Sequence, residues 1–350
     1  MNRTRTQTLL LIALIVGLIA VFLLSLSLGS VSIPVEQIVT ILFGGTAEKA
    51  SWATIVLKFR LPKAITAALA GAALAASGLQ MQTLFRNPLA DPFVLGISSG
   101  ASLGVALVVL VAGVAGGSSL LAGVSLVGDV SLTLASIIGS TLVLLLVMAV
   151  ARRVQSTMTL LILGLMFGYA TSALVSVLLY FSIAERIQAY ISWTFGSFGG
   201  VTWSQLQIFG PVVVVALIFS HLLVKPLNAL LLGENYARSM GLNVRLARLG
   251  IIATSASLAG VVTAFCGPIG FLGIAVPHLC RSLLRTSDHR LLMPAVLLLG
   301  GILAVAADLL AQLPGSQLTL PLNAVTALLG APVVTWVILR QRNLRESFAG

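Results

Sequence analysis

The run LLLIALIVGLIAVFLLSLSL, Leu9 to Leu28, contains no charged residue and no proline. At about 1.5 Å of rise per residue, a helix of roughly 20 residues crosses the hydrocarbon core of a bilayer. The apolar centre of a cleavable secretory leader is shorter, about 7–15 residues. The run therefore reads as a retained first transmembrane helix behind the basic segment MNRTRTQT.

The rest of the chain has the same character. Of its 350 residues, 58% are hydrophobic and only 8% charged, with mean hydropathy +1.10. A soluble domain carries roughly 25% charged residues, and no single aqueous core would bury this much apolar surface. Apolar windows of about 20 residues predict ten spans, roughly 9–28, 64–84, 92–114, 130–151, 157–181, 205–224, 249–266, 271–285, 292–311 and 322–340. The expectation is an all-α polytopic membrane protein with one transmembrane domain over residues 1–350.

Charge supports the count. Ten spans put both termini on one side, and that side then holds fifteen of the twenty Lys and Arg residues, from Arg3 and Arg5 to Arg345. The other side holds Lys49, Lys58, Arg60, Lys63 and Arg186. Positive residues concentrate in cytoplasmic loops, so both termini are expected in the cytoplasm. The net charge of +11 is then a consequence of topology. No polar domain carries a basic face, which argues against nucleic acid as a partner.

Several chemistries are excluded or disfavoured. None of the four lysines follows a glycine, so no phosphate-binding G-x-x-x-x-G-K-[ST] loop exists and the chain has no ATP site of that kind. No H-E-x-x-H, paired-Cys zinc pattern or G-x-S-x-G occurs. Acids are scarce within the spans, whereas proton- and ion-coupled carriers usually place them deep in the bilayer. His278 and Cys280 lie close together but lack a third metal ligand in the sequence, so no metal site is expected. Cys266 and Cys280 read as small buried residues. Energy and substrate selection are expected to come from partner subunits. A membrane-embedded enzyme or a scaffold is the alternative of a different class, and an enzyme would need converging acid, base or metal groups.

Three polar segments stand out. Residues 29–63 include the amphipathic PVEQIVTILFGG, and residues 182–204 are rich in aromatics and glycine. The inner segment KPLNALLLGENYARSMGLNVRLAR (225–248) reads as a short helix, a break at Gly241 and a second short helix. Residues 230–246 form a candidate docking element. In GPIGFLGIAVPHLCR (267–281), the glycines and Pro268 suit a tight re-entry, Pro277 is expected to kink a short span, and Gly270 and Gly273 are spaced to admit another helix.

The block FRLPKAITAALAGAALAASGLQMQTLFRNPLADPFVLGISSGAS (59–102) resembles the signature of FecCD-type permeases. These are the membrane subunits of ABC importers for ferric siderophores, haem and cobalamin. GPIGFLGIAVPHLCRSLLRTSDHRLLMP (267–294), LPLNAVTALLGAP (320–332) and the loop 231–245 resemble further blocks of that family. The resemblance implies a dimer with a second permease copy or a paralogue, an ABC ATPase dimer below it, and a periplasmic or lipid-anchored binding protein above. The complex would sit in the bacterial inner membrane.

The resemblance also implies residue roles. Gly233, Glu234, Ala237, Arg238, Ser239, Met240 and Gly241 match the ATPase-coupling loop. Arg60 and Lys63 match basic positions that meet acidic residues of the binding protein. Asn87, Leu89, Ser156 and Thr157 match positions narrowing the cytoplasmic end of the path. Ser156 also suits a helix N-cap. No cofactor is expected on this chain, with ATP and Mg on the partner ATPase. A ferric siderophore is the first substrate expectation; haem, cobalamin and oxyanions stay open. The sequence departs from the family pattern at Gln312, Thr319 and Asn323, where arginine, glutamate and glycine are common. Docking would then rely more on Arg60 and Lys63.

Overall fold

The structure, a computed structural model, describes residues 3–111, 128–154, 157–312 and 319–346. The described residues are helical and contain no strand. The α-helices in chain order are α1 (Arg3–Ser27), α2 (Val35–Leu42), α3 (Ala50–Thr54), α4 (Leu61–Leu84), α5 (Ile97–Ala106), α6 (Gly128–Arg153), α7 (Thr157–Tyr180) and α8 (Ala184–Thr194). They continue with α9 (Trp203–Leu222), α10 (Val224–Leu231), α11 (Glu234–Ser239), α12 (Val244–Cys266), α13 (Leu272–Leu284), α14 (His289–Ala311) and α15 (Leu322–Glu346).

Among the described residues, seven helices are long and apolar enough to cross a membrane, and three shorter apolar helices cover Ile97–Val109, Leu272–Leu284 and Leu322–Trp336. The exposure of α1 shows why lipid must be its solvent. Its apolar window has mean hydropathy 3.2, yet only 11% of it is buried within the protein. Leu9, Ile12, Val16 and Ile19, at helical spacing, are all about half exposed. An apolar stripe like this is stable only against hydrocarbon. The chain is a polytopic all-α membrane protein.

The chain divides into two compact units, Met1–Leu79 with Gly270–Gly350, and Gln80–Ile269. In the first, small residues set the helix spacing. A Cβ on Gly71 of α4 would run into the carbonyl oxygen of Gly300 in α14, and one on Gly300 would meet Gly71. Gly78 stands in the same relation to the Gly273 carbonyl of α13. Glycine allows these backbones to touch, the main means of close helix approach where lipid removes the hydrophobic drive. Of the two glycines read from GPIGFLG, Gly273 makes the close approach. Gly270 instead donates its N–H to Asn323 Oδ1 at 3.1 Å.

Helix α13 runs through Pro277 and ends at Arg285 in the left-handed region, φ 49°. His278 and Cys280 are buried in it. Among the described residues, no three His, Cys, Asp or Glu side chains converge as metal ligands. The amphipathic α2 buries Ile38 and Ile41 in a cluster with Leu26, Ile33, Val56 and Ala64.

Candidate functional site: the α10–α12 loop and two cationic clusters

The second unit holds the loop that sequence reading selected for docking. Its organisation is finer than a helix, one break and a second helix. Helix α10 ends before Gly233, α11 spans six residues, and Gly241 precedes the long α12. The break at Gly233 has φ 105° and that at Gly241 φ 84°. An L side chain is strained at both, so glycine lets the chain turn twice within nine residues. The second short helix expected after Gly241 is the first turn of α12.

Local hydrogen bonds fix the turn. Ala237 N–H donates to Gly233 O at 2.9 Å, and Leu242 N–H donates back to Ala237 O at 3.0 Å. This closure satisfies the last carbonyls of α11 in the manner of a glycine-terminated helix. Asn243 Oδ1 accepts from Leu246 N–H at 3.1 Å and caps α12. Ala237 is fully buried and anchors α11, while Tyr236 and Met240 are about half exposed. Arg238 and Ser239 also face outward. With Leu232, 62% exposed, they form a mixed apolar and basic surface on a short, doubly hinged helix.

Charge ties α11 to the body of its unit. The Arg248 guanidinium donates from Nη2 to Glu234 Oε1 at 2.8 Å and from Nη1 to Val154 O at 3.1 Å. Its side chain is only 7% exposed. Arg238 lies 3.6 Å from the other Glu234 oxygen, but it is 59% exposed and adds little. Arg245 Nη2 donates to Arg152 O at 2.9 Å. Sequence reading counted Arg245 and Arg248 only as cytoplasmic charge. Apart from Glu234, their acceptors are backbone carbonyls more than ninety positions away, which no side-chain pattern reveals.

The turn carrying Asn87 and Leu89 belongs to the same unit. Asn87 Oδ1 accepts from Leu89 N–H at 3.0 Å, a local turn that leaves Leu89 44% exposed. Arg86 enters this turn at φ 48°, and its guanidinium lies beside Gly233, 3.7 Å from where a Cβ would stand. Asp91 follows, buried, with Oδ1 accepting from Phe93 N–H at 2.9 Å. Burial raises its carboxyl to about 6, partly offset by the Phe93 bond. Ser156 and the Thr157 side chain lie outside the described residues.

The first unit contains the two cations read as docking residues, and both are engaged internally. Arg60 Nη1 donates to Leu26 O at 2.7 Å and Ser27 O at 3.0 Å, and Nη2 donates to Val31 O. It caps the carboxyl end of α1, where carbonyls lack helical partners. Lys63 Nζ pairs with Asp308 Oδ1 at 3.0 Å, with side chains 23% and 9% exposed. Gln312, one of the departures from the family pattern, donates to Asp308 Oδ2 at 2.7 Å. The amide thus completes the carboxylate without adding a charge. Lys58, by contrast, is exposed on this segment.

A model of the FecCD transport family matches residues 3–340. The vitamin B12 import system permease protein BtuC of Klebsiella pneumoniae subsp. pneumoniae is 40% identical over 287 residues, covering 82% of this chain and 83% of that protein. BtuC of Escherichia coli O9:H4 is 38% identical over 287 residues, 82% of this chain and 84% of that protein. A solved structure described as an inward-facing conformation of a metal-chelate type ABC transporter superposes with TM-score 0.81 at 28% identity, covering 95% of this chain and 99% of that one.

Proposed function

The chain belongs to the FecCD transport family, an ABC importer permease, and on that premise we propose that it carries a bulky metal chelate into the cytoplasm as one half of a permease dimer. The observation that carries this reading is the family match across residues 3–340 of a polytopic chain with no nucleotide-binding loop of its own. ATP and Mg belong to a partner ATPase dimer, and no cofactor belongs to this chain. The partner ATPase contacts the outward surface of α11 with its flanking Gly233 and Gly241. A periplasmic or lipid-anchored binding protein delivers the substrate from the opposite face. Both termini lie in the cytoplasm, and the complex resides in the bacterial inner membrane.

A cobalt corrinoid is the first substrate to test, because the curated relatives at 38–40% identity are named vitamin B12 permeases. A ferric siderophore is the second, favoured by the metal-chelate description of the superposable structure. Arg60 and Lys63 shape the face offered to the binding protein through their internal bonds, and exposed Lys58 supplies steering charge there. Asn87 and Leu89, with Ser156 and Thr157, narrow the cytoplasmic end of the path.

The test is uptake into proteoliposomes by the reconstituted permease, ATPase and binding protein, with cobalamin and a ferric hydroxamate offered in parallel. ATP-dependent cobalamin uptake is the expected result. Uptake of the ferric chelate alone would replace the corrinoid with a siderophore, and ATP-independent uptake of both would refute an ABC importer.

A further inference from the structure

Arg248 makes two bonds that lead to different helices. Nη2 holds Glu234, the first residue of α11, and Nη1 holds the carbonyl of Val154, the residue following α6. Arg245, one turn earlier on α12, holds the carbonyl of Arg152 in the last turn of α6. The carboxyl end of a helix carries partial negative charge on its unpaired carbonyls. Two guanidinium groups from one helix therefore clamp the end of α6, and one of them also grips α11.

The chemistry of Arg248 suits a mechanical link. A guanidinium is planar, and its donors have a fixed fork geometry, so its two acceptors are held in a set relation to each other. It is nearly buried at 7% side-chain exposure, where screening by salt is weak. Its carboxylate partner is on a helix flanked by Gly233 and Gly241, both with positive φ. Two such glycine turns let the backbone bend on either side of α11, so apart from its buried Ala237 the helix is loosely held by its own chain. The bond to Glu234 opposes independent motion of the helix.

We infer that Arg248 is a positioning residue that makes α11 and the end of α6 move together, so that a displacement of α11 reaches α6 instead of dissipating in the loop. This rests on the proposed role of α11 as the ATPase contact. A lysine at 248 would keep the positive charge beside Glu234 but could satisfy only one of the two acceptors at a time. A glutamine at 248 would keep a donor and lose the charge.

The experiment uses the complete reconstituted transporter with wild-type chain, Arg248→Lys and Arg248→Gln, measuring substrate imported per ATP hydrolysed and recovery of the assembled complex. Both Arg248 variants are expected to assemble and hydrolyse ATP within about twofold of wild type, while import per ATP falls tenfold or more in each. Import per ATP unchanged in Arg248→Lys would overturn the inference. So would loss of assembly in both variants, which would assign Arg248 a folding role only. A wild-type complex that assembles with no ATPase would instead overturn the α11 assignment itself, and with it this inference.

Discussion

Replacing Lys63 with methionine tests whether the pair with Asp308 is a structural tie in the first unit. Methionine keeps most of the apolar stem and removes the charge. Among the described residues, the Asp308 carboxylate, 9% exposed, would then keep only the Gln312 amide at 2.7 Å. At 3.0 Å, two unit charges attract by about 5 kcal/mol at an effective dielectric of 20. Desolvation opposes most of that, and Lys63 retains 23% exposure, so the net loss is smaller. Breaking a buried pair from one side costs about 3–5 kcal/mol; with partial exposure the expected loss is about 2–3 kcal/mol. The double variant Lys63→Met, Asp308→Leu removes the stranded charge, and should recover at least half of that loss. Unfolding of the purified chain in mixed micelles with increasing SDS reads these differences. A single variant as stable as wild type, or a double variant less stable than Lys63→Met, would refute a structural role for the pair.

Gly78→Ala should lower stability by about 1–3 kcal/mol because its Cβ meets the Gly273 backbone rather than a yielding side chain. Gly17→Ala is the control, with its nearest neighbour, Ile302 Cδ1, 3.5 Å away. Equal SDS midpoints for the two variants would contradict the close α4–α13 approach. Asp91 supplies a pH test. With its carboxyl raised to about 6 from the ordinary 3.8, its protonated form favours the fold, and that contribution is present below about pH 4 and lost as pH rises through about 6. Wild type should therefore lose about 2–3 kcal/mol relative to Asp91→Asn across this window. Thermal unfolding in detergent at pH 4.5 and 7.5 checks the sign, and parallel pH profiles would contradict it.

The hydrophobic windows and the distribution of Lys and Arg were enough to establish a polytopic helical protein and to separate its loops. These signals are local: a run such as Leu9–Leu28 must become a helix in lipid because no water is present to satisfy its backbone. The α10–α12 segment was legible as a broken helical loop because Gly241 and the short apolar periods mark its turns, although Gly233 was not read as a second break. The amphipathic α2 was legible from apolar residues at helical spacing, of which Ile38 and Ile41, three apart, are the buried ones.

What the cations do was decided by tertiary structure alone. In the sequence, Arg60 and Lys63 read as outer docking charges and Arg245 and Arg248 as cytoplasmic ones, with nothing to mark an internal partner for any of them. In the fold, Arg60 caps the α1 carbonyls, Lys63 meets Asp308, and Arg245 and Arg248 grip the end of α6. Three of these four groups find backbone carbonyls, and a carbonyl is present at every position of the chain. Its availability depends on where a helix ends and which helix passes beside it, so pairing of this kind leaves no residue-type signature to read.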